Sequence, residues 1–219
     1  LKLLAFTAAL PLLPASPLLA KAPAKLSPTD DAFLDDLQRR ACKFFFEQSS
    51  PTTGQVLDRA RAFDPPGVRD PRRMASIAAT GFGLSALCIA DRRRYSPRNQ
   101  LLDRVRTTLR FHHDKMATDH GFFTHFNDIE TGETIRHSEV SPIDTALLLC
   151  VVLTARAHFH HDHEIQQLAT GIYERVEWPW MLNGGDAFAM AWRNGSFERG
   201  RWSHYCELMM MYLLALVAV

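Results

Sequence analysis

The stretch Trp202-Ser203-His204-Tyr205-Cys206-Glu207 sets one carboxylate beside two aromatic rings, directly ahead of the charge-free run 208–219. A carboxylate in apolar surroundings holds its proton more tightly than one in water, which suits a general acid. The plainer reading of Glu207 is a first-turn glutamate favoured by the helix dipole. The aromatic neighbours and the apolar run behind it favour the chemical reading.

Other carboxylates stand in comparable places. Asp144 follows Ser141 by three residues in Ser141-Pro142-Ile143-Asp144, a capping-box-like pattern, so it reads as a helix cap, a substrate contact, or both. Glu139 lies in the loop just before that cap, as a solvated loop glutamate or a member of the same site. Asp58-Arg59 reads as a local ion pair or as a pair that binds hydroxyls. Aromatic and polar side chains accompany them: Phe122 and His125 in Gly121-Phe122-Phe123-Thr124-His125-Phe126, and Trp202 and Tyr205 near the last segment. Flat rings stack on pyranose faces while carboxylates and arginines bind hydroxyls, so the chemistry implied is recognition of a sugar.

These residues cluster at the starts of helical segments. The periodicity predicts six helices, at roughly 28–48, 72–91, 97–117, 142–160, 162–177 and 203–217, and no strand. Ser27-Pro28, Ser96-Pro97, Ser141-Pro142 and Asp70-Pro71 each place a capping residue before a proline suited to the first helical position. The first, third and fifth segments are amphipathic. The second, fourth and sixth are apolar nearly all round, yet each apolar run is short of the ~20 residues that a membrane span needs. A helix apolar on every face must be surrounded, so the alternation predicts an all-α fold of outer and inner helices, an α/α barrel or toroid. Inner-helix starts at one end of a toroid make a funnel, which is where the polar and aromatic residues fall.

The formal net charge of +1 offers no basic field for nucleic acid. Nearly half the residues are hydrophobic, 47%, enough for a sizeable core. Lys2, the apolar stretch 3–19 and Ala20-Lys21-Ala22 read as a secretory signal, residues 1–22, and place the mature part, 23–219, in the periplasm or outside the cell with no stable membrane span. Cys42, Cys88, Cys150 and Cys206 are scattered in apolar helical contexts and read as buried thiols, without zinc-type spacing. The histidine-rich turn 158–164 reads as solvated, Met209-Met210-Met211 as core filler, and Asn194-Gly195-Ser196 as a sequon of little weight. No cofactor and no metal are expected.

Five ordered blocks resemble the glucoamylase-like domain. They are Leu57-Asp58-Arg59, residues 75–84, residues 121–126, residues 139–149, and Trp202 to Glu207. That family includes the endo-β-1,2-glucanases of glycoside hydrolase family 144 and part of the cyclic β-1,2-glucan synthases. The resemblance runs from about Phe33 to about Leu216. It implies an (α/α)6 barrel and hydrolysis of β-linked glucan, usually β-1,2-linked, by an acid and a base on opposite faces of the sugar. Glu207 matches the family's W-x-x-Y-x-E block as an acid or a contact at the cleaved sugar. Asp144 and Glu139 match its E-V-S-x-I-D-T block, and Asp58 and Arg59 its D-R pair.

The resemblance also implies a longer domain than this one, because the family continues into a second set of helices. Three outer–inner pairs make about half a barrel, so the expectation is the N-terminal half of a glycoside hydrolase domain, truncated, with its activity alone left open. The alternatives are a glycan-binding protein using the same funnel, and a half barrel that self-associates through its exposed apolar face.

Overall fold

The computed structural model describes residues 25–62 and 65–218. The signal expected at residues 1–22 lies outside the described residues. The chain divides into two compact units, Leu1–Asp35 and Asp36–Val219. In the first, the described residues begin helix α1, which runs Pro28–Glu47 across the boundary. Ser27 caps it as expected, its Oγ accepting from Asp30 N at 3.1 Å.

The second unit holds α2 (Ile77–Arg93), α3 (Arg98–Asp114), α4 (Pro142–His158), α5 (His163–Glu174), α6 (Trp178–Leu182) and α7 (Met209–Val217). The helices divide by burial as their composition predicts. α3 and α5 each bury one stripe, Leu101, Val105 and Leu109 in one and Ile165, Ala169 and Ile172 in the other. α2 and α4 bury residues on several faces. Within this unit α4 packs against α2, α5 and α7, while α3 packs against α2 and α5. The α2–α4 contact is close because Gly81 carries no side chain: a Cβ there would stand 3.0 Å from Leu148 Cα.

Three boundaries differ from expectation. Asp70-Pro71 starts no helix. Asp70 is buried, and its carboxylate accepts from the backbone and guanidinium of Arg72 and from Arg61 N. The Arg72 hydrogen bonds hold it well below the usual carboxylate range against the opposing effect of burial. α2 starts at Ile77 instead, with Ser76 as cap, because Met74–Ser76 is drawn into strand β1. The last helix starts at Met209 rather than 203, since residues 204–208 form bends and turns. The segment after α5 breaks and restarts as α6, with Pro179 in its first turn.

The expected absence of strands is corrected by two short antiparallel pairs. β1 pairs with β2 (Phe126–Asp128), Ala75 opposite Asn127. β3 (Trp192–Arg193) pairs with β4 (Ser196–Phe197). Single bridges extend the pairing from Leu57 to Ala75, from Thr124 to Val140, and from Val140 to Trp192. The loops before α2 and α4 thus form a hydrogen-bonded layer at the N-terminal ends of those helices. Among the described residues no helix is long and apolar enough to cross a membrane.

Candidate active site

The loop layer sets a chain of polar side chains at the start of α4. Ser141 caps the helix, its Oγ accepting from Asp144 N at 3.3 Å and donating to Asp144 Oδ2 at 2.5 Å. Pro142 occupies the first turn, so Asp144 lands in that turn beside the helix N-terminus. His125 comes from the neighbouring loop. Its backbone N donates to Glu139 O, and its backbone O accepts from Ile77 N. Its ring stacks on Phe126 with centroids 3.6 Å apart. Nδ1 stands 3.0 Å from Glu139 Oε1, and Nε2 stands 3.5 Å from Asp144 Oδ1. The other Glu139 oxygen, Oε2, accepts from Arg193 at 2.9 Å.

The two carboxylates of this chain are held differently. Burial pushes the Asp144 carboxyl up, and the charges of Glu139 and Glu207 add to that against the Ser141 hydrogen bond and His125. Burial acts upward on Glu139 too, but its backbone and His125 hydrogen bonds and the His125 and Arg193 charges outweigh it and leave it lowered. Glu139 is therefore a fixed anion, while Asp144 takes a proton more readily than a free aspartate.

Glu207 is not in apolar surroundings. It is exposed in the turn ahead of α7, and among the described residues it makes no hydrogen bond or ion pair. Its place near Asp144 shows in its effect on that carboxyl. Tyr205 is 91% exposed, and Cys206 is exposed rather than buried. Trp202 is half-buried, tethered by its N to Phe188 O at 2.9 Å.

Phe122 corrects its expected role. It is fully buried and packs edge-on against Trp178, so it is core beneath the loop rather than a platform for a sugar. Asp58 and Arg59 pair with each other, Nε to Oδ2 at 2.5 Å, and Asp58 N donates to Met74 O in the loop layer. Arg193 belongs to the cluster and was not singled out from the sequence. The signal that could have found it is Asn194-Gly195, a strong hairpin marker, which was read only as part of a sequon.

The histidine-rich turn is solvated as expected at His160, His161 and His163, and its other polar residues make hydrogen bonds and ion pairs. His158 Nε2 is 2.8 Å from Asp91 Oδ2, Asp162 caps α5, and Glu164 pairs with Arg110. Among the described residues no three His, Cys, Asp or Glu side chains are set to hold a metal ion. A small cavity of about 30 Å³ lies between α1, α2 and α3, lined by Phe46, Leu84, Leu87 and Arg104, and no carboxylate of the cluster lines it.

No protein-family model matches the chain, and no curated protein matches its sequence. Solved structures do. An endo-β-1,2-glucanase from Chitinophaga pinensis, solved with sophorotriose and glucose, aligns at TM-score 0.76 and 22% identity over 89% of this chain and 48% of its own. A β-1,2-glucanase from Parabacteroides distasonis aligns at 0.74 and 22%, over 89% of this chain and 28% of its own. A proposed glucoamylase from Bacteroides uniformis aligns at 0.76 and 22%, over 87% of this chain and 46% of its own. The described chain therefore has the helical fold of these glucanase and glucoamylase-type structures, and spans about half the length of the C. pinensis and B. uniformis proteins.

Proposed function

We propose that this chain is part of a glycoside hydrolase of the glucoamylase-like type, acting on β-linked glucan, with β-1,2-glucan or its oligosaccharides as substrate. The observation that carries the reading is the carboxylate cluster at the capped start of α4, in a fold shared with β-1,2-glucanases. The full (α/α)6 barrel belongs to the same proposal, as does secretion, which rests on residues 1–22.

Glu207, exposed and unpaired among the described residues, is the carboxylate free to reach the glycosidic oxygen, and it serves as acid once a bound glycan shields it from water. Asp144 takes a proton from the attacking water, its raised carboxyl making it a stronger base than a free aspartate. As the bond between the anomeric carbon and the leaving oxygen breaks, the water oxygen bonds to that carbon. Glu139 stays ionised and holds His125 in place. Tyr205 and Trp202 offer ring surface, and Asp58, Arg59 and His125 offer partners for hydroxyls.

The test is hydrolysis of β-1,2-glucan by the chain and by Glu207→Gln, alongside glycan binding. Loss of general acid catalysis costs about 10²–10⁴-fold in turnover while binding persists. An aryl glycoside, whose leaving group needs no proton, should restore turnover to Glu207→Gln and not to Asp144→Asn. Equal hydrolysis by Glu207→Gln and the parent would remove Glu207 from the chemistry.

Self-association is a second reading, favoured by one observation. Met209, Leu213, Leu216 and Val217 on α7, and Phe82 and Ile89 on α2, are exposed apolar side chains on helices of inner composition. Such a surface favours association, through a second copy or through further helices.

A further inference from the structure

The hairpin that carries Arg193 is built by its turn. Asn194 and Gly195 have φ of 50° and 78°, both in the left-handed region, as a two-residue type I′ turn requires. Asparagine tolerates that region and glycine adopts it freely, so the sequence dictates a tight reversal between β3 and β4. The hairpin is then fastened beside the cluster. Trp192 and Val140 exchange both backbone hydrogen bonds, at 2.9 and 3.0 Å. Trp192 also packs on Phe197 and Trp180, with centroids 4.6 and 5.3 Å away. Arg193 and Glu139 are the neighbours of the two paired residues, so backbone pairing sets their side chains within reach.

A chain of forced hydrogen-bond roles runs inward from there. An ionised carboxylate can only accept. Glu139 is held ionised, so the His125 nitrogen 3.0 Å from it, Nδ1, carries the proton. In the neutral ring Nε2 then bears the lone pair, and it faces Asp144 Oδ1 at 3.5 Å. The ring cannot easily turn over, because Phe126 lies against it. Glu198, 3.7 Å from Arg193 Nε, is the other carboxylate on the same guanidinium, and Glu207 is the other charge on Asp144.

We propose that Arg193 is a positioning residue: by holding Glu139 it fixes His125 in the Nδ1–H tautomer and leaves Nε2 as an acceptor facing Asp144. As a stabilising ion pair Arg193 matters little, since its side chain is 42% exposed and solvent screens such pairs. Its role is directional. Without it, Glu139 Oε2 keeps only the long contact from Ser138 Oγ at 3.5 Å, and the acceptor facing His125 is no longer held in orientation. The consequence for hydrolysis rests on the function proposed above; the consequence for the tautomer does not.

The test is long-range ¹H–¹⁵N NMR of the imidazoles in the full chain, with His125→Asn assigning the His125 signals. Measured at a pH where the imidazole is neutral, the parent should show a single Nδ1–H tautomer at His125. Arg193→Ala should move it toward the mixed pattern of a free imidazole, and Arg193→Lys should restore it, since one charged donor suffices. Gly195→Val leaves Arg193 intact and has nothing within 4 Å to clash with, but it forbids the turn, so it should reproduce the Arg193→Ala pattern.

A mixed or Nε2–H tautomer in the parent would overturn the inference, as would no change in Arg193→Ala. In hydrolysis, Arg193→Ala should lower kcat by about three- to tenfold and restore it as lysine. Absence of hydrolysis in the parent counts against the proposed function alone, because the tautomer readings decide this inference by themselves.

Discussion

Gly121→Ala should be among the costliest single-methyl additions in the chain, and its cost divides into two parts. Gly121 has φ +83°, where an L side chain costs roughly 1–2 kcal/mol. The added Cβ would also stand 2.3 Å from Arg175 O and 2.6 Å from Val176 Cα, both backbone atoms that cannot swing aside. Overpacking of that kind costs about 1–3 kcal/mol more, for a total of about 2–5 kcal/mol. Gly184→Ala is the control, since φ is +73° there but nothing lies within 4 Å, so only the conformational part, about 1–2 kcal/mol, applies. Any gain from a stiffer unfolded chain is common to both and cancels in the difference.

The assay is urea unfolding followed by tryptophan fluorescence and circular dichroism. The site gives a second readout, because Phe123 N donates to Thr145 Oγ1 at 3.0 Å and Ser141 N to Phe123 O at 3.0 Å. Pushing this loop outward moves His125 away from Asp144, so glycan binding should weaken in Gly121→Ala and not in Gly184→Ala. Equal destabilisation by the two substitutions would refute the claim that the loop is seated by close backbone contact.

Acid should destabilise the protein through His112, which is buried with Nδ1 2.7 Å from Thr108 O and whose pKa burial pushes down from 6.5 to about 4. The folded value lies below the unfolded one, so stability is full above pH 6.5 and falls as pH drops toward 4, by about 3 kcal/mol in all; His112→Gln should flatten that limb of a stability–pH curve. A thiol reagent should label exposed Cys206 quickly and Cys88 only on unfolding, since burial pushes the Cys88 thiol up to about 12; mass spectrometry reads the sites, and labelled Cys206 should hinder glycan binding beside Tyr205 and Glu207. Leu213→Glu with Leu216→Glu should lower any self-association seen in sedimentation while leaving the fold intact, because both side chains are exposed.

What the sequence determined by itself was local and periodic. The alternation of amphipathic and all-round apolar segments set which helices bury one stripe and which bury several faces, because burial follows the apolar positions of a 3.6-residue repeat. Ser27 and Ser141 capped where they were expected to, since a cap needs only its own first turn, while Ser96 did not: Pro97 takes the cap position of α3, without a side-chain hydrogen bond. Tertiary structure decided the rest. Asp70-Pro71 carries the same signal as Ser141-Pro142, yet Asp70 was claimed by Arg72 and Arg61, and the following residues by pairing with Phe126–Asp128. The site followed the same division. Asp144 and Glu139 could be named from their place before an inner helix. Burial raises Asp144, whereas Glu139 is lowered because His125 and Arg193, 14 and 54 positions away along the chain, help to outweigh its burial. Phe122 and Glu207 exchanged the surroundings expected of them, the ring buried and the carboxylate exposed. A sequence lists which groups can bond; burial and long-range pairing decide which partners they meet, and so how readily each carboxylate takes a proton.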